Sequence, residues 1–261
     1  MSGLAVTAMS GERIDEAARE IRAADSVVAL TGAGVSTASG IPDFRGEDGL
    51  WNEYDPEEFH VRRFRADPGD FWERQLELHQ EVFDAVDPSP NAAHRALADL
   101  EVAGHLDGVV TQNVDSLHAE AGSEEPIRLH GTTERVSCQH CRQRYDAEPV
   151  RERAEAGELP PRCAACDGVL KPDTVLFGEQ LPEHALLRGH ALAQKADVFL
   201  AVGSSLTVEP AAGLPEEAHD RGASLVIVNL DPTPISDVAD YDLRADVTDV
   251  LPALRDRVLE G

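Results

Sequence analysis

Lysine is almost missing from this chain. Of 23 basic residues only Lys171 and Lys195 are lysine, and 49 acidic residues bring the formal net charge to −26. That balance argues against direct nucleic-acid binding, which depends on clustered Lys and Arg. No apolar run approaches the roughly 18 residues of a membrane span, so no membrane insertion is expected. Residues 1–13 show neither a basic n-region nor an apolar h-region, so no secretory signal is expected either. Cysteine is scarce, with four residues. In the cytoplasmic setting these absences suggest, a metal suits them better than disulfides.

The 261 residues suffice for one large domain, or one large and one small. High net charge destabilises a compact chain by self-repulsion. Salt relieves it, because the Debye length falls to about 3 Å at 1 M ionic strength. Charge and lysine scarcity together predict a halophilic protein from a salt-rich cytoplasm.

Residues 11–24 place Ile14, Ala17, Ala18 and Ile21 at helical spacing. Residues 26–31 (SVVALT) read as a buried strand, after which Gly32-Ala33-Gly34 turns the chain into a helix. Residues 40–66 read as a long functional loop with short helices, and 70–86 and 91–100 as helices. Further apolar runs at 108–111, 197–203 and 224–229 read as strands, with helices near 215–221 and 247–259. Short apolar strands alternating with helices predict an α/β fold, a doubly wound, Rossmann-like parallel sheet.

Residues 135–170 break this pattern. They hold every cysteine, and their charges balance, so the rest of the chain carries the whole −26. This reads as a small zinc-binding module of zinc-ribbon type, inserted into a Rossmann-like domain of residues 1–134 and 171–261. Helical parts of a small domain could come from 40–90. The knuckles Cys138-x-x-Cys141 and Cys163-x-x-Cys166 can each supply two thiolates to one tetrahedral zinc. Four thiolates leave no open position, so the predicted zinc is structural.

Gly32-x-Gly34 after a strand suggests phosphate binding at a helix N-terminus. The dehydrogenase fingerprint fails, however: its third glycine is Thr37, and no acidic strand end follows about 20 residues on. Polar clusters follow three other strands: Thr111 to His118, Gly203-Ser204-Ser205, and Asn229. Strand C-terminal ends at a switch point are where open α/β sheets bind ligands.

These segments, with Gly40-Ile41-Pro42-Asp43-Phe44-Arg45, Leu129-His130-Gly131 and the run Lys171 to Glu179, resemble the sirtuin family in content and order. The resemblance implies an NAD-dependent protein-lysine deacetylase that acts on acyl-lysine proteins and yields nicotinamide and O-acetyl-ADP-ribose. It implies that Gly32, Ala33, Gly34, Ser36, Thr37 and Arg45 line the cofactor, and that Phe44 covers its nicotinamide end. Gln112 and Asn113 would hold the nicotinamide ribose and an ordered water, and Val114 and Asp115 the carboxamide. Gly203, Ser204, Ser205, Asn229 and Val247 would surround the adenosine half. Val175, Phe177 and Val208 would form the acyl-lysine tunnel. Strand-like segments at Gly178–Glu179 and 206–208 would sandwich the substrate peptide. Enzymes of this family that remove acidic acyl groups share a Tyr-x-x-Arg pair. Gln75 and Leu78 stand there in this chain, which implies neutral acyl groups.

In the implied mechanism the acyl oxygen attacks the ribose carbon, and a ribose hydroxyl then needs a base. His130 is that base, with Asn113 as the second catalytic residue; a neutral imidazole suits the task near pH 7. Mono-ADP-ribosyl transfer at the same site is the alternative activity. A redox-sensing regulator with a DNA-binding zinc ribbon is a rival of another class, opposed by the lack of a basic stripe.

If the charge reading holds, the thermal midpoint rises as potassium chloride goes from low to molar concentration. A flat or falling midpoint would contradict it.

Overall fold

The computed structural model describes every residue except Met1, Arg45, Glu47 and Asp48, with backbone alone for 2–10 and Asp84. The chain opens with α1 (Ser2–Ala23), β1 (Val27–Thr31), α2 (Val61–Ala66), α3 (Pro68–His79) and α4 (Ala92–Val102). There follow β2 (Gly108–Thr111), α5 (Leu117–Ala121), β3 (Ile127–Arg128), β4 (Gly131–Cys138), β5 (Arg144–Asp146) and α6 (Ala147–Glu155). The remainder is β6 (Leu170–Thr174), α7 (Glu183–Ala193), β7 (Val198–Val202), α8 (Gly213–Asp220), β8 (Ser224–Val228), β9 (Tyr241–Leu243) and α9 (Val247–Glu260).

Six strands form one parallel sheet in the order β3-β2-β1-β7-β8-β9. This is the Rossmann order, in which the winding direction reverses between the first strand and its later neighbour. Alternate residues of each strand feed opposite layers. Val27 and Ala29 pack with Ile21 of α1, Leu97 of α4 and Leu254 of α9. Val28 and Leu30 pack with Ala185 of α7 and Leu214 and Ala218 of α8. Both faces are covered, which is why β1 and β7 are buried throughout instead of alternating. The predicted doubly wound sheet is therefore what the chain forms.

A second sheet, antiparallel and ordered β5-β4-β6, carries the cysteine segment. It runs from Gly131 to Thr174, beyond residues 135–170 on both sides. Its small core joins Val136, Ala147, Val150 and Leu170 to Trp72 from α3. The Trp72 indole N–H donates to the Leu170 carbonyl at 2.8 Å. Residues from the 40–90 stretch thus supply the bulk that the module lacks.

Three local expectations change. Gly32-Ala33-Gly34 does not open an α-helix; it leads into two 3-10 turns, Ala33–Val35 and Thr37–Ser39. The helix expected over 70–86 ends at His79 and continues as one π-helical turn, Gln80–Asp84. Gly178–Glu179 is a turn, and 206–208 is irregular with Leu206 at φ +51°. Strand geometry there would have to come with an added peptide.

The glycines after β1 serve the backbone itself. The Gly32 N–H donates to the Val202 carbonyl at 3.0 Å and the Gly34 N–H to the Gly203 carbonyl at 2.8 Å. A Cβ on Gly32 would lie 2.7 Å from the Gly203 oxygen, and one on Gly203 would lie 2.5 Å from the Val35 nitrogen. Gly203 also sits at φ +58°, where a side chain is strained. Gly203→Ala should therefore cost at least about 2 kcal/mol. The thermal midpoint would fall by about 4 °C or more. An unchanged melt would show that the two loops can part without loss.

Candidate functional site

The loops leaving β1, β2 and β7 meet at the switch point. Strand pairing puts Thr31 beside Thr111 on one side and Val202 on the other, so the segments after all three begin at one level of the sheet. The Gln112 side-chain amide donates to the Ser204 hydroxyl at 2.9 Å, which also receives the Leu206 N–H at 3.2 Å. Cofactor-site residues expected from β2 and β7 are therefore in direct contact.

Behind them lies a buried polar network. The Thr31 hydroxyl donates to the Thr111 hydroxyl at 2.8 Å and lies 2.9 Å from His118 Nε2. With the Thr31 proton already used, His118 Nε2–H is the donor. His118 Nδ1 then faces no partner among the described residues. The Ser36 hydroxyl donates to the Asp115 carboxylate at 2.9 Å and accepts from the Asn113 amide at 3.1 Å. His94 Nε2 lies 3.5 Å from the same hydroxyl. Burial raises the pKa of the Asp115 carboxyl, while the Leu117 N–H and Ser36 work against that shift.

His130 stands beside this network, half-buried. Its Nδ1 is 2.8 Å from the Gln112 carbonyl. A carbonyl can only accept, so Nδ1 carries the proton and Nε2 keeps its lone pair. Burial lowers the His130 pKa, opposed by the Gln112 hydrogen bond. The ring is thus a neutral base of fixed tautomer. From the same residue the His130 carbonyl accepts the Val175 N–H at 2.9 Å, which ties the end of β6 to this histidine.

An aromatic wall closes one side. Trp51 stacks on Phe44 at 5.2 Å between ring centroids and meets Phe177 at 5.6 Å. Phe44 and Phe177, expected from sequence on opposite ends of the reaction, are joined by one indole. Val175 and Val208 are half-buried. The Glu179 carboxylate faces inward, toward Lys171 at 3.0 Å and the Leu176 N–H at 2.9 Å.

Other expected residues lie differently. The Asn229 amide donates to the Asp231 carbonyl of its own loop at 2.8 Å. The Ser205 hydroxyl meets Thr207 at 3.0 Å, and the Thr37 hydroxyl donates back to the Gly34 carbonyl at 3.1 Å. Val247 is buried in the same apolar layer as Val35 and Val228, so only its backbone could face a ligand. Arg45 lies outside the described residues. Sequence reading missed His94, Thr31 and Trp51. Asn91 and His94 form a capping box at the start of α4, with His94 Nδ1 accepting the Asn91 N–H at 3.3 Å. That spacing was a usable signal, although it pointed to a helix start more than to a site.

The four cysteine sulfurs all lie within 4.8 Å of one another. Cys138 and Cys166 are 3.5 Å apart, and Cys141 and Cys163 3.6 Å. A disulfide needs about 2.05 Å. A zinc tetrahedron with 2.3 Å bonds has edges of roughly 3.8 Å, so the four residues fit one ion. Gly168 leaves them room, since a Cβ there would lie 2.7 Å from the Cys138 sulfur. The His140 and Cys141 N–H groups donate to that sulfur at 3.4 Å, and the Tyr145 hydroxyl lies 3.0 Å from Cys163. Donors aimed at sulfur suit thiolates. The site is closed, as a structural zinc requires.

Fold and site together define a doubly wound α/β protein in which the loops after β1, β2 and β7 converge at the switch point, with a four-cysteine module beside it. The chain belongs to the Sir2 family, whose model matches residues 32–210. A Haloarcula marismortui protein called NAD-dependent protein deacetylase is 53% identical over 251 residues, 96% of each chain. A solved Sir2 structure, 41% identical, aligns with a TM-score of 0.86 over 95% of this chain and 98% of that one. A Sir2 complex with a deacetylated p53 peptide and 3'-O-acetyl ADP-ribose gives 0.85 at 38% identity, over 94% and 96% of the two chains.

The buried histidines generate a pH effect of definite sign. Burial holds His94 at about 4 and His118 at about 3, against an ordinary value of 6.5. Below about pH 6.5 the unfolded chain binds these protons and the folded one does not, so stability falls with pH from about 6.5 toward 4. Each site contributes about 1.4 kcal/mol per pH unit in that window. Unfolding free energies of wild type and His118→Gln at pH 7 and 5 should show the variant losing about 1–2 kcal/mol less on acidification. Equal losses would mean that His118 is protonated in the fold.

Proposed function

We propose that this chain is an NAD-dependent protein-lysine deacetylase that acts on acyl-lysine proteins and releases nicotinamide and O-acetyl-ADP-ribose. The observation that carries the reading is His130, a neutral imidazole whose tautomer is fixed by the Gln112 carbonyl, directly after β2. The names of the relatives support it, as does the acetyl ADP-ribose in a homologous complex.

NAD supplies an electrophilic ribose carbon with a neutral leaving group, nicotinamide. The chain's part is to bind, orient and exclude water. Gly32, Ala33, Gly34, Ser36 and Thr37 would line the diphosphate and ribose side, and Phe44 would shield the reacting carbon. Asn113, held by Ser36, keeps its place without side-chain freedom. Gln112 and Asn113 hold the ribose and a water, and Val114 and Asp115 the carboxamide. Gly203, Ser204, Ser205, Asn229 and Val247 receive the adenosine half. The acyl-lysine enters between Val175, Phe177 and Val208, with Gly178 and Glu179 offering backbone to the peptide. Holding a weak nucleophile in line can supply much of the rate. His130 Nε2 then takes the proton of a ribose hydroxyl.

Neutral acyl groups suit the tunnel. Leu78 packs with Ile41, Leu50 and Val82, and Arg74 pairs with Glu77 at 3.0 Å on the surface. A zinc held by Cys138, Cys141, Cys163 and Cys166 would staple the module and, with no open ligand position, would take no part in the chemistry. The NAD-binding domain comes from the chain on either side of residues 131–174, and 131–174 form the zinc module, whose core also takes Trp72 of α3. The enzyme works in a salt-rich cytoplasm and has no nucleic acid or membrane as partner. Among the described residues no helix is long and apolar enough to cross a membrane.

Wild type incubated with NAD and an acetyl-lysine peptide at high salt should yield deacetylated peptide, nicotinamide and O-acetyl-ADP-ribose by mass spectrometry. His130→Ala should lower kcat by about 10²-fold or more while leaving the fold intact by circular dichroism. The acid limb of wild-type kcat/KM should fall below the ordinary histidine value of about 6.5, because burial lowers the His130 pKa. Near-normal turnover in His130→Ala would remove the base assignment, and label transfer to protein without loss of acetyl would overturn the deacetylase reading.

A further inference from the structure

Two lysines remain in a chain that otherwise uses arginine, so the place of each is informative. Lys171 lies on β6 and is only 6% exposed. Its ammonium has three protons and finds three acceptors: the Pro172 carbonyl at 3.0 Å, the Thr174 carbonyl at 2.8 Å and the Glu179 carboxylate at 3.0 Å. The same Glu179 oxygen accepts the Leu176 N–H at 2.9 Å. A buried charge without such partners would be costly. Here the tripod is complete, and it closes a ring around residues 172–179.

That ring encloses residues 175–178. On one side Val175 N–H donates to the His130 carbonyl at 2.9 Å. On the other, Phe177 N–H donates to the Phe59 carbonyl at 3.2 Å and its carbonyl accepts from Val61 N–H at 2.9 Å. Leu176 anchors the middle, buried with Val61, Phe64 and Phe71. Phe177 is left 39% exposed beside Trp51. Because the Glu179 carboxylate is bound inward, it is not free to contact a peptide. Its position is that of a latch.

We propose that Lys171 and Glu179 form a clasp that sets the wall of the acyl-lysine tunnel, making both of them positioning residues for peptide binding. The inference rests on the deacetylase reading of the crevice. The clasp fixes Thr174 and Leu176, the neighbours of Val175, and through Val175 it is joined to His130. Without it the Val175–Phe177 wall loses its two charge-assisted anchors, while the contacts between the β1 and β7 loops stay intact.

The test compares Lys171→Met, Lys171→Arg and Glu179→Gln with wild type at high salt. Lys171→Met and Glu179→Gln should raise the KM for an acetyl-lysine peptide by about tenfold, the scale of a lost charge-assisted hydrogen bond. KM for NAD should stay within about twofold, as expected for a loss confined to peptide binding. Lys171→Arg, which keeps the charge, should recover most of the peptide affinity. Deuterium exchange by mass spectrometry should quicken in residues 174–179 and stay unchanged in 198–202. If Lys171→Met does not fold, Glu179→Gln carries the same comparison, since it keeps the shape of the side chain. An unchanged peptide KM in both variants, or peptide and NAD KM rising together, would overturn the proposal. A wild-type enzyme without deacetylase activity would refute the underlying reading, and the exchange experiment would still decide whether the clasp holds this loop.

Discussion

The loops after β1 and β7 touch through backbone atoms, at a separation that leaves no room for a Cβ on Gly32, Gly34 or Gly203. Two hydrogen bonds fix that approach, from Gly32 to Val202 and from Gly34 to Gly203. It brings Ser204 to the Gln112 side chain, and the carbonyl of the same Gln112 selects the proton position on His130. His130 in turn anchors Val175. A chain of short polar contacts thus leads from the switch point of one sheet to the first residue after the other. Any side chain at the glycine contact would loosen its first link.

Charge is sorted by depth. The exterior is strongly acidic, while the interior of the site holds histidines that stay neutral because burial disfavours their protonated form. The one buried ammonium in the described core, Lys171, comes with a full set of acceptors. Repulsion among surface carboxylates is a long-range term that salt can screen. The site's hydrogen bonds are short and enclosed, and salt has little access to them.

Legibility followed element length and chemical distinctiveness. The strands at β1, β2, β7 and β8 could be read because burial on both faces makes each of them a short apolar run. Strands β3 and β9 could not, since two or three residues at a sheet edge carry no pattern. The paired CxxC knuckles announced four converging ligands, because thiolates at that spacing have few other uses. Asn229 follows β8 and Val247 opens α9, but their side chains find partners nearer at hand, a carbonyl and an apolar layer. Ser36 was named as a cofactor residue, yet its bonds to Asp115 and Asn113 came only with coordinates.

The sequence by itself determined the parallel sheet, the paired cysteine knuckles and the family, and it singled out His130 as the candidate base. These rest on local period, on spacing and on residue type, which are properties of neighbours along the chain. Only the tertiary structure decided what the glycines are for, which nitrogen of His130 holds its proton, and how Trp51 bridges Phe44 to Phe177. It also decided that Glu179 turns inward to Lys171. Each of these depends on contact between segments far apart in sequence, or on which of several acceptors a side chain can reach. Distances of that kind exist only once the chain has closed on itself.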